Sequence, residues 1–332
     1  MLFNPSLNNL LLTKWKILKN KNIYFCKIIP SYKTRTKNKE CYILYSNNKK
    51  DIIIFDLIDF KIIQKIQNPH NNFITNLLYY LDKIKNKDLI LSVSYDNNIK
   101  IWNFKNFECI LDIKNINKNG YMNSACLFYN NKTNEYNILS SNTNFGNCEY
   151  IKIYNLNGNK MGEIKDSNNS TNFINIYYDS DLCKTYIITA NDDCVRSYDF
   201  DKNEIYHKYS DNDNKSHYSI IINNKNGKNI KLIESSIDAI IRIWNFHSGE
   251  LIDKIKIGNK CCAICLWNNN FLFTASRDIE LIDLNSKKII SVLNNHNSDV
   301  ITIKKFIHPK FGECLISQGV FYGEIKLWIN KK

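Results

Sequence analysis

Three carboxylates, Asp96, Asp192 and Asp238, stand at matched places in a repeated sequence, each six residues before a large aromatic, Trp102, Tyr198 or Trp244. Grouped carboxylates are suited to acid–base work, and these three would form a polar triad along one rim of a fold built from repeats. A second candidate is Cys261-Cys262-Ala263-Ile264-Cys265, whose thiols are of the type that holds zinc. No His follows it at ligand distance and no second Cys pair is present, so a tetrahedral set is incomplete. Alternation on an inner strand, with Cys as a small apolar residue, accounts for the run. The six histidines are isolated, and the ten glycines form no phosphate-cradling loop. The sequence has no nucleophile elbow and no paired-His helix. No enzyme is expected, and no cofactor or metal.

The carboxylates belong to a phrase that returns seven times: Ile52–Leu57, Ile99–Phe104, Ile151–Leu156, Val195–Phe200, Ile241–Phe246, Ile279–Leu284 and Ile325–Asn330. Its fourth positions are Phe55, Trp102, Tyr154, Tyr198, Trp244, Ile282 and Trp328, at steps of 47, 52, 44, 46, 38 and 46 residues. A period of this size marks units that cannot bury their apolar face alone. Within each phrase apolar and polar residues alternate, which is strand periodicity. Ile99, Ile101, Ile241 and Ile243 would face one way, with Lys100 and Arg242 facing the other. Three further β-rich runs accompany most phrases, so each unit has four strands.

The chain resembles the WD-repeat β-propellers. Trp244 through Leu251 (WNFHSGEL) looks like the family's Trp-Asp followed by a Thr-Gly-Glu-Leu-type turn. Asp96, Asp192 and Asp238 occupy the place of the family's Asp in the tight turn before the third strand. His70 and His296 match its Gly-His dipeptide, with Pro69 and Asn295 replacing the Gly. The second repeat is fullest, with His70, Ser92, Asp96 and Trp102. The resemblance implies that such a set holds each blade together by hydrogen bonds, making the carboxylates structural. The copies diverge: Asn follows Trp102 and Trp244, Ile follows Trp328, Cys148 and Tyr322 stand where a turn Asp belongs, and Asp278 lies only four residues before Ile282.

The expected fold is all-β, a seven-bladed propeller of four-stranded antiparallel blades in one domain, 1–332. The units span about 21–67, 68–114, 119–165, 171–210, 216–257, 261–294 and 297–332. Only four residues follow Trp328, too few for a fourth strand, whereas Thr13–Lys19 is a spare strand-like run. Pairing it with the last blade would remove an open sheet edge.

The formal charge of +13 invites nucleic acid or an anionic membrane as partner. Lys scattered along loops and outward strand positions reads instead as a solvated surface. No acidic residue precedes Glu40, so the N-terminal stretch could serve as a transit peptide, but the closing strand lies inside it. Eleven unpatterned cysteines point to a reducing compartment, with the cytoplasm expected and the nucleus allowed. The expected function is a non-enzymatic protein-interaction scaffold, a subunit or adaptor of a larger complex that binds proteins or peptides. The alternative is a propeller that binds RNA or anionic lipid headgroups. Binding would fall on rim residues beside the turn Asp or at the start of first strands: Tyr95, Asn191, His217, Tyr218, Ile237, Arg277, Phe321 and Tyr322. The structural set is His70, Ser92, Asp96, Trp102, Asp192, Asp238, Trp244, His296 and Trp328.

Overall fold

The computed structural model describes residues 12–19, 23–29, 41–47, 51–82, 85–114, 121–143, 150–165, 171–211, 216–222, 229–294, 296–319 and 324–330. These residues form seven four-stranded antiparallel sheets, the blades of an all-β propeller. Blade 1 contains Ile23–Ile29, Tyr42–Asn47, Ile52–Asp56 and Lys61–Ile66; blade 2, Ile74–Asp82, Lys87–Ser94, Ile99–Asn103 and Cys109–Ile113. Blade 3 contains Tyr121–Asn130, Glu135–Thr143, Tyr150–Asn155 and Lys160–Lys165; blade 4, Thr171–Asp179, Lys184–Asn191, Val195–Asp199 and Glu204–Tyr209. Blade 5 contains Ser216–Ile222, Lys231–Ser236, Ile240–Asn245 and Leu251–Lys256; blade 6, Ala263–Asn268, Phe271–Ala275, Ile279–Asp283 and Lys288–Leu293. Blade 7 takes Val300–His308, Gly312–Gly319 and Glu324–Asn330, and its fourth strand is Leu12–Lys19. That strand runs antiparallel to Glu324–Asn330, with Trp15 opposite Trp328 and Lys19 opposite Glu324.

The chain divides into two compact units. One holds blades 1, 6 and 7, and the other holds blades 2 to 5. In the second unit blades 3 and 4 are buried against a neighbour on both faces, which explains the long apolar runs in their second strands. Leu89, Leu91, Val93, Ile99 and Ile101 of blade 2 pack on Ile138 and Tyr154 of blade 3. The opposite face of blade 3, including Leu139, Ile151 and Ile153, meets Ile187 and Tyr198 of blade 4. Blade 4 in turn meets Trp244 and Phe246 of blade 5. The aromatic of the repeated phrase is therefore the wedge set against the preceding blade. In the other unit, Trp328 of blade 7 packs the same way among Phe271, Phe273 and Leu281 of blade 6. Each fully buried aliphatic contributes about 1.5–3 kcal/mol.

The residue after the key aromatic is Asp56, Asn103, Asn155, Asp199, Asn245 or Asp283, and each side-chain oxygen accepts a backbone N–H two residues on, at 2.7–3.1 Å. Only an acceptor oxygen is needed, so Asn serves as well as Asp and the strict Trp-Asp pair is unnecessary. Ile329 stands where the following strand comes from the other end of the chain, and no such turn has to be closed. Four residues past this Asx, the backbone is left-handed at Phe60, Phe107, Asn203, Gly249 and Lys287. Gly249 is confined twice over: its φ is +73°, and a Cβ would lie 3.1 Å from the His207 ring. The first hairpins use the same device through Asn130, Asp179 and Asn268, and Asp82 accepts from the N–H three residues on. In blade 7 His308 mimics it, its Nδ1 accepting from the Lys310 N–H at 3.0 Å.

Candidate functional site

In blade 2, Ser92 lies on the second strand opposite Lys100, His70 precedes the first strand, and Asp96 sits in the turn between Ser94 and Asn97. The four residues of the expected set meet. The Trp102 indole N–H donates to Ser92 Oγ at 2.9 Å, and Ser92 Oγ lies 2.8 Å from His70 Nε2. His70 Nδ1 lies 3.1 Å from Asp96 Oδ2. In neutral His70 the Nδ1–H donates to the carboxylate, so the Ser92 hydroxyl donates to Nε2 while its oxygen accepts from the indole. Asp96 also accepts the backbone N–H of Asn71 at 2.8 Å and of Asn98 at 3.0 Å. Burial pushes the Asp96 carboxyl up, but the His70 bond and the two amides outweigh it and hold it below the usual carboxylate range.

This is the order of groups in a hydrolase relay, Asp–His–Ser, yet a nucleophile must face substrate. Ser92 is 0% exposed and its oxygen is already an acceptor for Trp102. The geometry closes a turn and satisfies a buried indole, which is a structural task.

Blade 7 repeats half of the relay. Trp328 Nε1 donates to Ser317 Oγ at 2.8 Å, and His296 Nε2 lies 2.7 Å from the same oxygen. The nearest carboxylate on the other side is Glu324, its Oε2 3.6 Å from Nδ1, and that nitrogen makes no hydrogen bond. Glu324 accepts instead from the Asn297 side chain at 2.7 Å and pairs with the buried Lys326 at 3.4 Å. Burial first, then the Lys326 charge, push the His296 pKa down to about 4 against the pull of Glu324.

Blades 4 and 5 replace the His with an arginine on the third strand. In blade 5 the Trp244 indole donates to Glu234 Oε2 at 3.2 Å, and Arg242 Nη1 lies 3.6 Å from Glu234 Oε1. The same guanidinium pairs with Asp238 at 2.5 Å and Asp211 at 3.0 Å, and Asp211 also contacts Lys254. Burial alone would push the Asp238 carboxyl up; Arg242 overrides it and holds it low. Arg242 therefore does not face solvent, as strand alternation suggested; at 3% exposed it is the buried hub of an ion cluster whose outer carboxylates, Asp238 and Asp211, reach solvent. In blade 4, Arg196 grips Asp193 with both ends of its fork, at 2.9 and 2.5 Å. Asp192 is exposed and accepts from the Asn172 side chain at 2.9 Å.

Sequence reasoning missed Glu234, Arg242, Asp193, Arg196 and Glu324. One signal was available: Glu234 precedes Trp244 by ten residues, as Ser92 precedes Trp102, and each faces a cation across the strand pair.

On the rim, Tyr95 and Ile237 are exposed at 37% and 40%, and Arg277 is exposed as well. Phe73, which was not foreseen, is exposed beside Tyr95, whose N–H donates to the Phe73 carbonyl at 2.9 Å. Asn191 is a correction: it is buried. The turn in blade 4 is one residue shorter, closing from Asn191 N–H to the Cys194 carbonyl, so Asn191 matches the buried Ser94 and not Tyr95. Phe321 and Tyr322 lie outside the described residues, as do the side chains of His217 and Tyr218.

A further polar group joins blades 4 and 5. His247 Nε2 lies 3.0 Å from Asp179 Oδ2, and its Nδ1 lies 3.1 Å from the Tyr206 hydroxyl. Asp179 is itself held by the amides of Asp181 and Leu182, so both ring nitrogens are engaged inside the protein. In the cysteine run, Cys261 and Cys265 are buried, and Cys265 Sγ accepts the Lys305 N–H at 3.2 Å.

No protein-family model matches the chain. One curated protein, the U3 small nucleolar RNA-associated protein 21 homolog of Schizosaccharomyces pombe, is 27% identical over 100 residues. That stretch covers 29% of this chain and 11% of that protein's length. Together with seven four-stranded blades, this likeness fits a generic propeller of the WD-repeat kind.

Proposed function

We propose that the chain is a non-enzymatic protein-interaction scaffold, a subunit or adaptor of a larger complex. The observation that carries this reading is how the reactive side chains are used. The one Asp–His–Ser order identified is buried and tied to an indole, Asp238 and Asp193 are paired with arginines, and Asp192 is held by the Asn172 side chain. The exposed positions of the same turns carry Tyr95, Ile237 and Arg277, with Phe73 alongside. Tyr and Arg are residue types that dominate binding energy at interfaces.

A second reading, RNA binding, is favoured by the +13 charge and by the likeness to a protein that is itself RNA-associated. The same likeness, to a nucleolar RNA-associated protein, favours the nucleus over the cytoplasm expected from cysteine usage. Against a basic tract, cations alternate with carboxylates through most blades: Lys61 with Asp59, Lys100 with Asp112, Lys160 with Glu163, Lys184 with Asp199 and Lys305 with Glu313. A salt titration against RNA and anionic vesicles separates the two. The scaffold reading expects weak binding, on the order of 10⁻⁴–10⁻⁶ M, that falls steeply with salt. Submicromolar RNA binding at physiological salt, unchanged by Tyr95→Ala, would favour the second.

A further inference from the structure

Among the described residues, each blade ends in an outer strand hydrogen-bonded on one side only. Such an edge offers a row of free backbone groups to any passing chain, and proteins blunt it with charge. The outer strands obey this with one exception. Lys65 lies within Lys61–Ile66, Asp112 within Cys109–Ile113, Glu163 within Lys160–Lys165, and Lys208 within Glu204–Tyr209. Asp253 and Lys254 lie within Leu251–Lys256, and Lys14 and Lys16 within Leu12–Lys19. The outer strand of blade 6, Lys288–Leu293, carries no charge after its first residue. Its aliphatics Ile289, Ile290 and Val292 are exposed at 40%, 42% and 47%. The bulge at Ile282 does not set this edge apart, because blades 1 to 5 have the same irregularity at the key aromatic.

A strand of high β-propensity that is uncharged after its first residue and left open is an aggregation hazard unless something covers it. Two copies could pair edge to edge, but each carries +13 and they repel at long range. The same charge attracts an acidic segment, and Lys288 marks the end at which its carboxylates would sit. We propose that Lys288–Leu293 is a docking edge for an extended, aliphatic segment of an acidic partner protein. The segment adds as a fifth, antiparallel strand, with its acidic residues at its C-terminal end beside Lys288. Main-chain hydrogen bonds would give affinity, and the exposed aliphatics would give selectivity. The inference rests on the scaffold reading in taking the partner to be a protein, but it uses a surface other than the Tyr95 turn.

The test is selection of short linear peptides from a displayed random library against the full chain. Recovered peptides are then measured individually by fluorescence anisotropy and by amide hydrogen exchange. The expected binders alternate aliphatic residues and end in Asp or Glu. They slow exchange within 288–293 and weaken by about tenfold or more in Val292→Lys. They are unaffected by Ile252→Lys, an exposed site on the outer strand of blade 5, and by Tyr95→Ala. Because Val292 is exposed, the lysine variant should fold, and an unchanged melting temperature checks this. Peptides lost with Tyr95→Ala but kept with Val292→Lys overturn the edge proposal and leave the scaffold reading standing. A concentration-dependent dimer that Val292→Lys abolishes makes a second copy the occupant and overturns it too. Recovery of no peptide, with submicromolar RNA binding, overturns both readings.

Discussion

Blades 2 and 5 meet the same demand in opposite ways. Each buries an indole N–H and must fasten the turn between its second and third strands. Blade 2 runs a short hydrogen-bonded relay from Trp102 through Ser92 and His70 to Asp96. Blade 5 places Glu234 under the indole and neutralises it with Arg242, which also reaches Asp238 and Asp211. A relay in which one carboxylate meets a histidine and backbone amides loses a few bonds when broken. An ion cluster built on a fully buried Glu leaves an uncompensated charge when broken. The repeat therefore conserves the task and the geometry, and the chemistry that meets it varies from blade to blade. Blade 7 sits between them, with the Trp–Ser–His half of the relay intact and the carboxylate out of reach of Nδ1.

The sharpest way to break the comparison is Arg242→Ala. Glu234 is 0% exposed, so losing its cation should cost about 3–5 kcal/mol. Arg242→Met combined with Glu234→Gln should recover most of that, because replacing both charges removes the desolvation penalty. Chemical denaturation measures both, and an Arg242→Ala cost below that of Asp96→Ala would contradict the contrast.

Acidification should separate blade 7 from blade 2. The folded pKa of His296, about 4, lies below its ordinary 6.5, so the unfolded chain binds more protons between those values. That stability is complete above pH 6.5, falls as pH drops, and is gone near pH 4, a loss on the order of 3 kcal/mol. Asp96 behaves as a depressed carboxylate: its contribution holds above its ordinary value of 3.8 and is lost only as pH falls through its lower folded value. Denaturation of His296→Gln across pH 7 to 4 should show a flatter slope than the parent; an unchanged slope would sink this assignment.

A smaller effect is expected from Asp96→Ala itself, about 1–3 kcal/mol from the donors it leaves unpaired, read as a shift in denaturation midpoint. Asn103→Asp should be smallest, within about 0.5 kcal/mol, because the turn uses a single acceptor oxygen. Asn103→Ala should cost about 1 kcal/mol, as other lost caps do, and an equal cost for both would refute the Asx account.

Much of the architecture was legible in the chain. Alternation in phrases such as Ile99–Phe104 identified third strands, and the missing strand after Trp328 pointed to Thr13–Lys19, which pairs as Leu12–Lys19. The set around His70 was legible because its members resemble the spacing of His, Ser, Asp and Trp in WD-repeat propellers. The ion clusters were not, because Arg242 reads as an outward residue until its burial against the neighbouring elements is known. Asn191 misled because spacing was counted back from Tyr198, and a turn shorter by one residue shifts every position before it. Glu324 was hidden because it acts from within a strand, four residues before Trp328, and not from the turn.

Tyr95 and Asp96 are sequence neighbours with opposite assignments, the first outward at the rim and the second inward in the relay. The most direct test of the account is to purify Tyr95→Ala, Asp96→Ala and the parent chain with their bound proteins, and to measure melting temperature alongside. The account predicts that Tyr95→Ala melts like the parent and loses bound proteins. It predicts that Asp96→Ala melts lower and, below that temperature, keeps them. A Tyr95→Ala variant that retains every bound protein, or an Asp96→Ala variant of parental stability that loses a catalytic activity, would contradict it.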